Sequence, residues 1–214
     1  MITIAVTFKF PRVYPITDTR LSRLSHAEQV ARLIDGGASL IQLRDKTSAP
    51  RDFLREAEAA LTVARKNNVH LIINDRVDIA LVLGADGVHL GQSDLPPEAA
   101  RRLLKTGSII GVSTHTLEQA QLASRMTVDY VAFGPIFETA TKTDHEPIAG
   151  LEGLRSARAI LGDLPLVAIG GITGENAGTV FGAGANSVAV ISALLSDSAK
   201  ISENMTRLLA IARK

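Results

Sequence analysis

The sequence of 214 residues contains no cysteine. Disulfide bonds, cysteine-ligated zinc sites and thiol nucleophiles are therefore excluded. Long apolar runs are missing as well, because no stretch approaches the ~18 residues needed to span a membrane. The first residues show neither the basic start nor the small-residue cleavage site of a secretory signal. These absences predict a cytoplasmic protein that does not enter a membrane.

The chain also lacks an excess of charge of one sign. Lys and Arg total 23 against 22 for Asp and Glu, which gives a formal charge of +1. This near balance argues against a broad basic surface for nucleic acid or anionic lipid. We therefore expect small-molecule partners, no nucleic acid and no membrane. The length and the hydrophobic fraction of 46% are typical of one globular domain, here residues 1–214.

Short apolar segments alternate with amphipathic ones along the whole chain. The apolar segments are mostly aliphatic and often β-branched, as is typical of strands buried on both faces of a parallel sheet. They cover residues 13–16, 40–43, 71–73, 88–90, 109–112, 130–133, 166–169 and 188–191. The segments with helical spacing cover residues 27–34, 52–66, 77–83, 98–105, 117–126, 153–161, 175–181 and 202–213.

This alternation determines the predicted fold. Strands that alternate with helices form parallel sheets with right-handed crossovers. Eight such units can close into a barrel, whereas a doubly wound open sheet more often has five or six strands. The sequence therefore predicts an α/β fold, a single-domain (β/α)8 TIM barrel. In such barrels the catalytic groups follow the strands, at one rim.

Cationic side chains follow the second predicted strand. Period-two alternation places Gln42, Arg44 and Lys46 on one side of the chain. If that side is the barrel interior, two cations converge near the rim, where they favour a phosphate or diphosphate ligand. The alternative is a solvated strand end at which both cations pair with nearby carboxylates.

Carboxylates follow the third and fourth predicted strands. Asp75 comes after Asn74 at the end of the third strand. Asp94 follows the fourth strand, at a similar level along the barrel axis. Two carboxylates, waters and substrate phosphate oxygens are the usual ligands of Mg²⁺ in proteins. The alternative is that Asp75 or Asp94 caps the helix that follows it.

The fifth predicted strand ends in a serine and a histidine. No nucleophile elbow surrounds Ser113, so we expect its hydroxyl to bind a substrate or to cap a turn. His115 is a candidate acid or base, and the alternative is a structural role.

The remaining strand ends have residues suited to anions. The long loop after the sixth strand contains Thr139, Thr141 and Lys142 and extends to about Gly150, which suggests either a lid or a plain surface loop. Gly170 and Gly171 follow the seventh strand, Ile191 ends the eighth, and Ser192 comes directly after it. Glycine admits a ligand close to the backbone, and the loops after strands seven and eight form the phosphate site of many barrels.

Taken together, these motifs resemble the thiamine phosphate synthase family over essentially the whole chain. The matching stretches are Gln42-Leu43-Arg44-Asp45-Lys46, Asn74-Asp75-Arg76, Ala85 through Asp94, Gly111-Val112-Ser113-Thr114-His115, Gly134-Pro135-Ile136-Phe137 with Thr139, Thr141 and Lys142, and Ile169-Gly170-Gly171-Ile172. Each stretch alone is weak evidence, but their order and spacing together are specific.

The resemblance implies a transferase that condenses hydroxymethylpyrimidine diphosphate with hydroxyethylthiazole phosphate to thiamine phosphate and diphosphate. It implies a dissociative reaction, in which diphosphate leaves before the thiazole nitrogen attacks a pyrimidine-stabilised cation. It further implies Mg²⁺ as cofactor and allows a homo-oligomer. The implied roles are diphosphate binding by Arg44, Lys46, Asn74 and Lys142, magnesium binding by Asp75 and Asp94, pyrimidine contact by Gln42 and Ser113, and thiazole phosphate binding by Thr139, Thr141, Gly171, Ile191 and Ser192. Arg44, Lys46, Ser113 and Lys142 are the implied catalytic residues.

One local departure from the family is Glu138, which stands where many members have proline. It adds a negative charge near the phosphates.

Two alternative functions stay open at this point. The related thiazole tautomerases share the fold but generally lack the full diphosphate and magnesium set, and their reaction would depend on an acid or base such as His115. A catalytically silent barrel that binds a phosphate ligand is the other alternative.

Overall fold

The computed structural model describes residues 10–139 and 147–213. Within them, eight parallel strands form one sheet in the order β1-β8-β7-β6-β5-β4-β3-β2. The strands are β1 Val13–Pro15, β2 Leu40–Leu43, β3 His70–Asn74, β4 Gly87–Leu90, β5 Ile109–Thr114, β6 Tyr130–Phe133, β7 Leu166–Ile169 and β8 Ser187–Val190. Each lies within two residues of its predicted bounds.

The first and second strands bring the two ends of the sheet together. A parallel bridge joins Ile16 to Gln42, and the amide of Thr17 donates to the carbonyl of Gln42 at 2.9 Å. Since β1 also pairs with β8, this contact closes the sheet into a barrel. The predicted α/β barrel is therefore confirmed. The assignment of all residues 1–214 to one domain stays a prediction.

Helices follow the strands on the outside of the barrel. They are α1 Thr19–Ser22, α2 His26–Asp35, α3 Pro50–Lys66, α4 Val77–Leu83, α5 Pro97–Leu103, α6 Leu117–Ala123, α7 Gly150–Leu161, α8 Ala177–Gly182, α9 Ser192–Leu195 and α10 Ile201–Ala212. A 3-10 turn at Ser198–Lys200 precedes α10. Two four-residue helices, α1 and α9, were not predicted, because one turn is too short to show a hydrophobic period. None of the described helices is long and apolar enough to cross a membrane.

Local signals explain several helix ends. Ser25 caps α2 in a reciprocal capping box, in which its hydroxyl accepts from the amide of Glu28 and the Glu28 carboxylate accepts from the amide of Ser25. α3 and α5 begin at Pro50 and Pro97, where the fixed φ of proline suits the first helical residue. Gly84 ends α4 at φ 60°, a left-handed conformation that favours glycine.

Two apolar clusters hold the barrel together. One consists of strand residues whose side chains fill the barrel interior, among them Ile16, Leu40, Ile72 and Val167. The other lies between the strands and the surrounding helices. Along each strand the side chains alternate between these two clusters, as the pleat of a strand requires. Toward the carboxyl ends of β2 to β5 the inward positions become polar, with Gln42, Asn74, His89 and Ser113.

A buried histidine supports the start of α2. The His26 side chain is fully buried, and its Nδ1 lies 2.7 Å from Oγ1 of Thr17. Its Nε2 lies 3.7 Å from a carboxylate oxygen of Asp45. Burial lowers the pKa of His26 below the usual 6.5, and the charge of Asp45 only partly opposes this. His26 is therefore held neutral in the folded protein.

The neutral state of His26 predicts a pH dependence of stability. As the pH falls below the unfolded pKa near 6.5, the unfolded chain takes up a proton that the folded protein resists. The free energy of unfolding should therefore decrease between about pH 7 and pH 5, and His26→Gln should flatten this decrease while lowering stability overall. Urea unfolding over this range measures both slopes. Equal slopes for the wild-type protein and His26→Gln would show that His26 does not contribute to the pH dependence of stability.

Candidate active site at the carboxyl ends of the strands

The predicted site residues that the structure describes come from the carboxyl ends of the strands and the loops that follow them. Because all the strands are parallel, these ends meet at one rim of the barrel. Gln42 and Asn74 lie within β2 and β3, and both side chains are buried. Ser113 lies near the end of β5 and is half-buried.

Arg44 lies just beyond β2 and is held by a carboxylate. Its Nη1 donates to Oδ2 of Asp18 at 3.1 Å, and both side chains are 15% exposed. Its amide nitrogen lies 3.3 Å from the hydroxyl of Thr17. The ion pair holds the guanidinium near the rim while leaving its remaining N–H groups available to a ligand.

Lys46 contacts the first of the two predicted metal ligands. Its ammonium lies 2.5 Å from Oδ2 of Asp75, with 51% of the lysine side chain exposed. Burial raises the pKa of the Asp75 carboxyl, Lys46 opposes this, and the neighbouring Asp94 carboxylate raises the pKa further. Cation and carboxylates thus form one group across β2, β3 and β4. Both cations pair with carboxylates, as the alternative interpretation expected, whereas the anion-binding role of Arg44 and Lys46 stays a prediction.

The backbone at the two carboxylates argues against helix capping. Asp75 has φ 63°, a left-handed conformation, and it lies one residue before the cap position of α4. The residues at the cap positions of α4 and α5 are Arg76 and Pro96, and neither helix has a side-chain cap bond. Asp94 Oδ2 instead accepts from the amide of Gly91 at 2.7 Å. The capping alternative is therefore wrong for both residues.

A chain of hydrogen bonds crosses the barrel interior beneath the rim. Gln42 Nε2 lies 3.1 Å from Tyr14 Oη, which lies 3.0 Å from Tyr130 Oη. Tyr130 Oη lies 2.9 Å from His89 Nδ1, and His89 Nε2 lies 2.8 Å from Ser113 Oγ. The chain therefore links Gln42 and Ser113, the two residues predicted to contact the pyrimidine.

The loops after β6 and β7 lie against each other. The amide of Phe137 donates to the carbonyl of Gly170 at 3.1 Å. Gly171 has φ 63°, and a Cβ there would lie 2.4 Å from the carbonyl oxygen of Glu138. Only glycine fits this close approach. The structure thus brings Gly171 next to the loop that contains Thr139, which is half-buried.

The two strand ends of the predicted phosphate site differ in how they are held. The Asn176 side chain braces the loop after β7, donating to the carbonyl of Gly171 and accepting from the amide of Thr173. After β8, Ile191 precedes α9 and Ser192 is its first residue. Thr141 and Lys142 lie outside the described residues, so their predicted roles stay predictions.

His115 is tied to the backbone. Its Nδ1 lies 2.6 Å from the carbonyl oxygen of Gly134, and its amide donates to Oε1 of Gln119 at 2.7 Å. Because a carbonyl only accepts, Nδ1 carries a hydrogen and donates it. This contact fits the structural role considered for His115.

Sequence reasoning missed several residues that shape the site. Asp18 holds Arg44, and Gln92 donates to the carbonyl of Ser113 at 2.6 Å. Tyr14, His89 and Tyr130 form the interior chain. The period-two alternation that placed Gln42 inward could have found these three, since each is a polar or aromatic residue at an inward position of a short strand.

Comparison with known proteins identifies the family of the chain. The sequence model of a family described as thiamine monophosphate synthase matches residues 13–194. The chain belongs to this family. It is 48% identical over 184 residues to thiamine-phosphate synthase of Chlorobium phaeovibrioides, covering 86% of each chain. It is 48% identical over 185 residues to thiamine-phosphate synthase of Methanocella arvoryzae, covering 86% of this chain and 87% of that protein.

A solved structure extends the similarity to the whole fold. Thiamine phosphate pyrophosphorylase from Pyrococcus furiosus superposes with a TM-score of 0.85 at 35% identity, covering 94% of this chain and 95% of that one. The resemblance noted from the motifs is therefore confirmed at the level of the family.

Proposed function

We propose that the protein is a transferase that condenses hydroxymethylpyrimidine diphosphate with hydroxyethylthiazole phosphate, giving thiamine phosphate and diphosphate. Relatives named thiamine-phosphate synthase support the reaction. The observation that carries the proposal is the group formed by Lys46, Asp75 and Asp94 on adjacent strands, close to Arg44. A departing diphosphate needs such a combination of cations and metal ligands.

The diphosphate subsite would be formed by Arg44, Lys46, Asn74 and Lys142. Arg44 forms an ion pair with Asp18, and Lys46 forms one with Asp75. A diphosphate can replace Asp75 as the partner of Lys46, since the lysine is half-exposed and flexible. Release of Asp75 from this ion pair would free its carboxylate for a cation. Ligand and metal are then expected to bind cooperatively.

The residues present fit a magnesium ion. Asp75 and Asp94 are adjacent carboxylates, and Asp94 raises the pKa of Asp75 because like charges repel. The described residues contain no group of three or more histidine or acidic side chains that could hold a metal. Mg²⁺ usually binds one or two carboxylates and completes its shell with water and substrate phosphates. When bound, it would neutralise charge that develops on the leaving diphosphate.

The chain's own residues would favour a dissociative reaction. A dissociative reaction needs no protein nucleophile, and Ser113 Oγ is hydrogen-bonded to His89 Nε2 within the interior chain. Ser113 would contact the pyrimidine while Gln42 contacts it from β2. Gly171, Ile191 and Ser192, with Thr139 and Thr141, would hold the thiazole phosphate at the other half of the rim. The two substrates would then approach each other across the barrel mouth.

The proposal extends to the setting of the enzyme. We propose that the metal is Mg²⁺ and that the enzyme is located in the cytoplasm. The absence of cysteine fits a reducing compartment. A homo-oligomer is compatible with it and stays a prediction.

The test is product formation from the two substrates. With both substrates and magnesium, we expect stoichiometric thiamine phosphate and diphosphate, and none when either substrate is omitted. Turnover of a thiazole carboxylate phosphate without diphosphate would instead indicate the isomerase. Binding of thiazole phosphate without turnover of either substrate set would indicate a silent binding protein.

A further inference from the structure

The interior hydrogen-bond chain has a direction that is set at one end. Gln42 points its amide nitrogen at Tyr14 Oη, and an amide NH₂ group can only donate. Tyr14 therefore accepts from Gln42. Its own hydrogen is then available for Tyr130, the other partner of this hydroxyl among the described residues.

The direction continues through the histidine. If Tyr14 donates to Tyr130, the hydrogen of Tyr130 is available for Nδ1 of His89. An imidazole that accepts at Nδ1 carries its hydrogen at Nε2 when neutral, and Nε2 then donates to Ser113 Oγ. The hydrogen of the Ser113 hydroxyl is left to point away from His89, toward the rim.

The opposite direction leaves a buried group unsatisfied. It would make Ser113 donate to His89, His89 to Tyr130 and Tyr130 to Tyr14. The hydrogen of Tyr14 would then face Gln42 Nε2, which cannot accept it. Tyr14 is 1% exposed, and a buried hydroxyl without an acceptor is costly.

Both phenols keep the hydrogen that the chain needs. Burial raises the pKa of both phenols. Hydrogen bonds with Tyr130 and Gln42 only partly oppose this for Tyr14, and the neighbouring Tyr14 raises the pKa of Tyr130 further. Each phenol therefore has one hydrogen to donate. The ring of Tyr130 is further held by stacking on His89, with ring centroids 5.4 Å apart.

We propose that Tyr14, Tyr130 and His89 are positioning residues that make Ser113 a hydrogen-bond donor toward the rim. The group that accepts this hydrogen bond from Ser113 would be a nitrogen atom of a heteroaromatic ring. This extension rests on the proposed function, which places the pyrimidine against Ser113. The direction of the chain itself belongs to the free protein and can be tested without turnover.

The first test is the tautomer of His89 in the ligand-free protein. In ¹⁵N-histidine-labelled protein, long-range ¹H–¹⁵N spectra show which ring nitrogen carries the hydrogen. The His89 signals are identified by their loss in His89→Gln or by removing the other histidines one at a time. We expect hydrogen on Nε2 alone, and an Nδ1 signal that shifts in Tyr130→Phe. Hydrogen on Nδ1, or on both nitrogens, would overturn the proposal.

The second test asks whether Tyr130 acts through Ser113. Tyr130→Phe keeps the ring and removes one oxygen, and we expect kcat/KM for the pyrimidine diphosphate to fall about tenfold, as for one lost hydrogen bond. The KM for the thiazole phosphate should not change. In a Ser113→Ala background the same replacement should have no further effect. Independent, multiplicative losses would show that Tyr130 does not act through Ser113.

Thr114→Val is the matched control, because it removes a buried hydroxyl from the same strand. This hydroxyl donates to the carbonyl of Ala132 and has no part in the interior hydrogen-bond chain. It should leave both substrate constants at wild-type values. If the wild-type protein forms no thiamine phosphate, the proposed function fails, and the tautomer measurement still decides the direction of the chain.

Discussion

Lys46→Ala should lower the rate of diphosphate release by about 100-fold or more, the usual cost of removing a group that stabilises developing charge. Lys46 is the cation that pairs with Asp75, next to which Asp94 lies. Without it, the leaving diphosphate loses one of the positive charges of the proposed subsite. Single-turnover assays with saturating substrates measure the chemical step directly.

Asp94→Asn tests the proposed metal ligand independently of the cation Lys46. It keeps the size of the side chain and removes the negative charge. We expect a similar decrease in the rate of diphosphate release, and excess magnesium should partly restore the rate. Lys46→Ala should not be restored in this way. Lys66→Ala, at the exposed end of α3 on the opposite rim, is the control and should keep wild-type activity. Wild-type rates for both Lys46→Ala and Asp94→Asn would show that the site has been placed wrongly.

Gly111→Ala should destabilise the protein by at least ~1–3 kcal/mol, the usual range for overpacking a buried position. A Cβ at Gly111 would lie 2.0 Å from Cζ of Tyr130. The Tyr130 ring is fully buried and its hydroxyl is bonded to Tyr14 and His89, so it cannot move without breaking the interior chain. Urea unfolding measures the change in stability.

Gly178→Ala is the matched control for this prediction. Gly178 lies in α8, where a Cβ would meet nothing within 4 Å. Alanine at an open helical position is expected to stabilise by ~0.5–1 kcal/mol. Should Gly111→Ala unfold at the wild-type urea concentration, the tight packing of Tyr130 would be contradicted.

Much of the fold could be predicted from local patterns. Each strand is a short aliphatic run, and strands buried on both faces need such runs whatever they contact. The helix Val77–Leu83 agrees with prediction because its determinants lie within a few residues, and the capping box of Ser25 and Glu28 is an equally local signal. The short helix α9 could not be predicted in this way, since one turn has no period.

The candidate site was only partly accessible from sequence. The rim position of Arg44, Lys46, Asp75 and Asp94 follows from parallel strands alone. The partners of these residues do not, because Asp18 is distant in sequence from Arg44 and meets it only when β1 and β2 close the barrel. The capping of helices by Asp75 and Asp94 was a reasonable alternative that the backbone at α4 and α5 excludes.

In the proposed arrangement, the two halves of the rim would each bind one of the two substrates. One half combines cations and carboxylates on β2, β3 and β4, and the other offers main-chain groups beside Gly171 and Ser192. The interior chain from Gln42 to Ser113 runs beneath both. A single anion site would not need this separation.

The most direct test of this arrangement is a crystal structure of the protein with magnesium and diphosphate. We predict one metal ion held by Asp75 and Asp94, with Lys46 released from Asp75 and in contact with the diphosphate. A diphosphate bound away from Arg44 and Lys46, or no metal between the two carboxylates, would contradict the account.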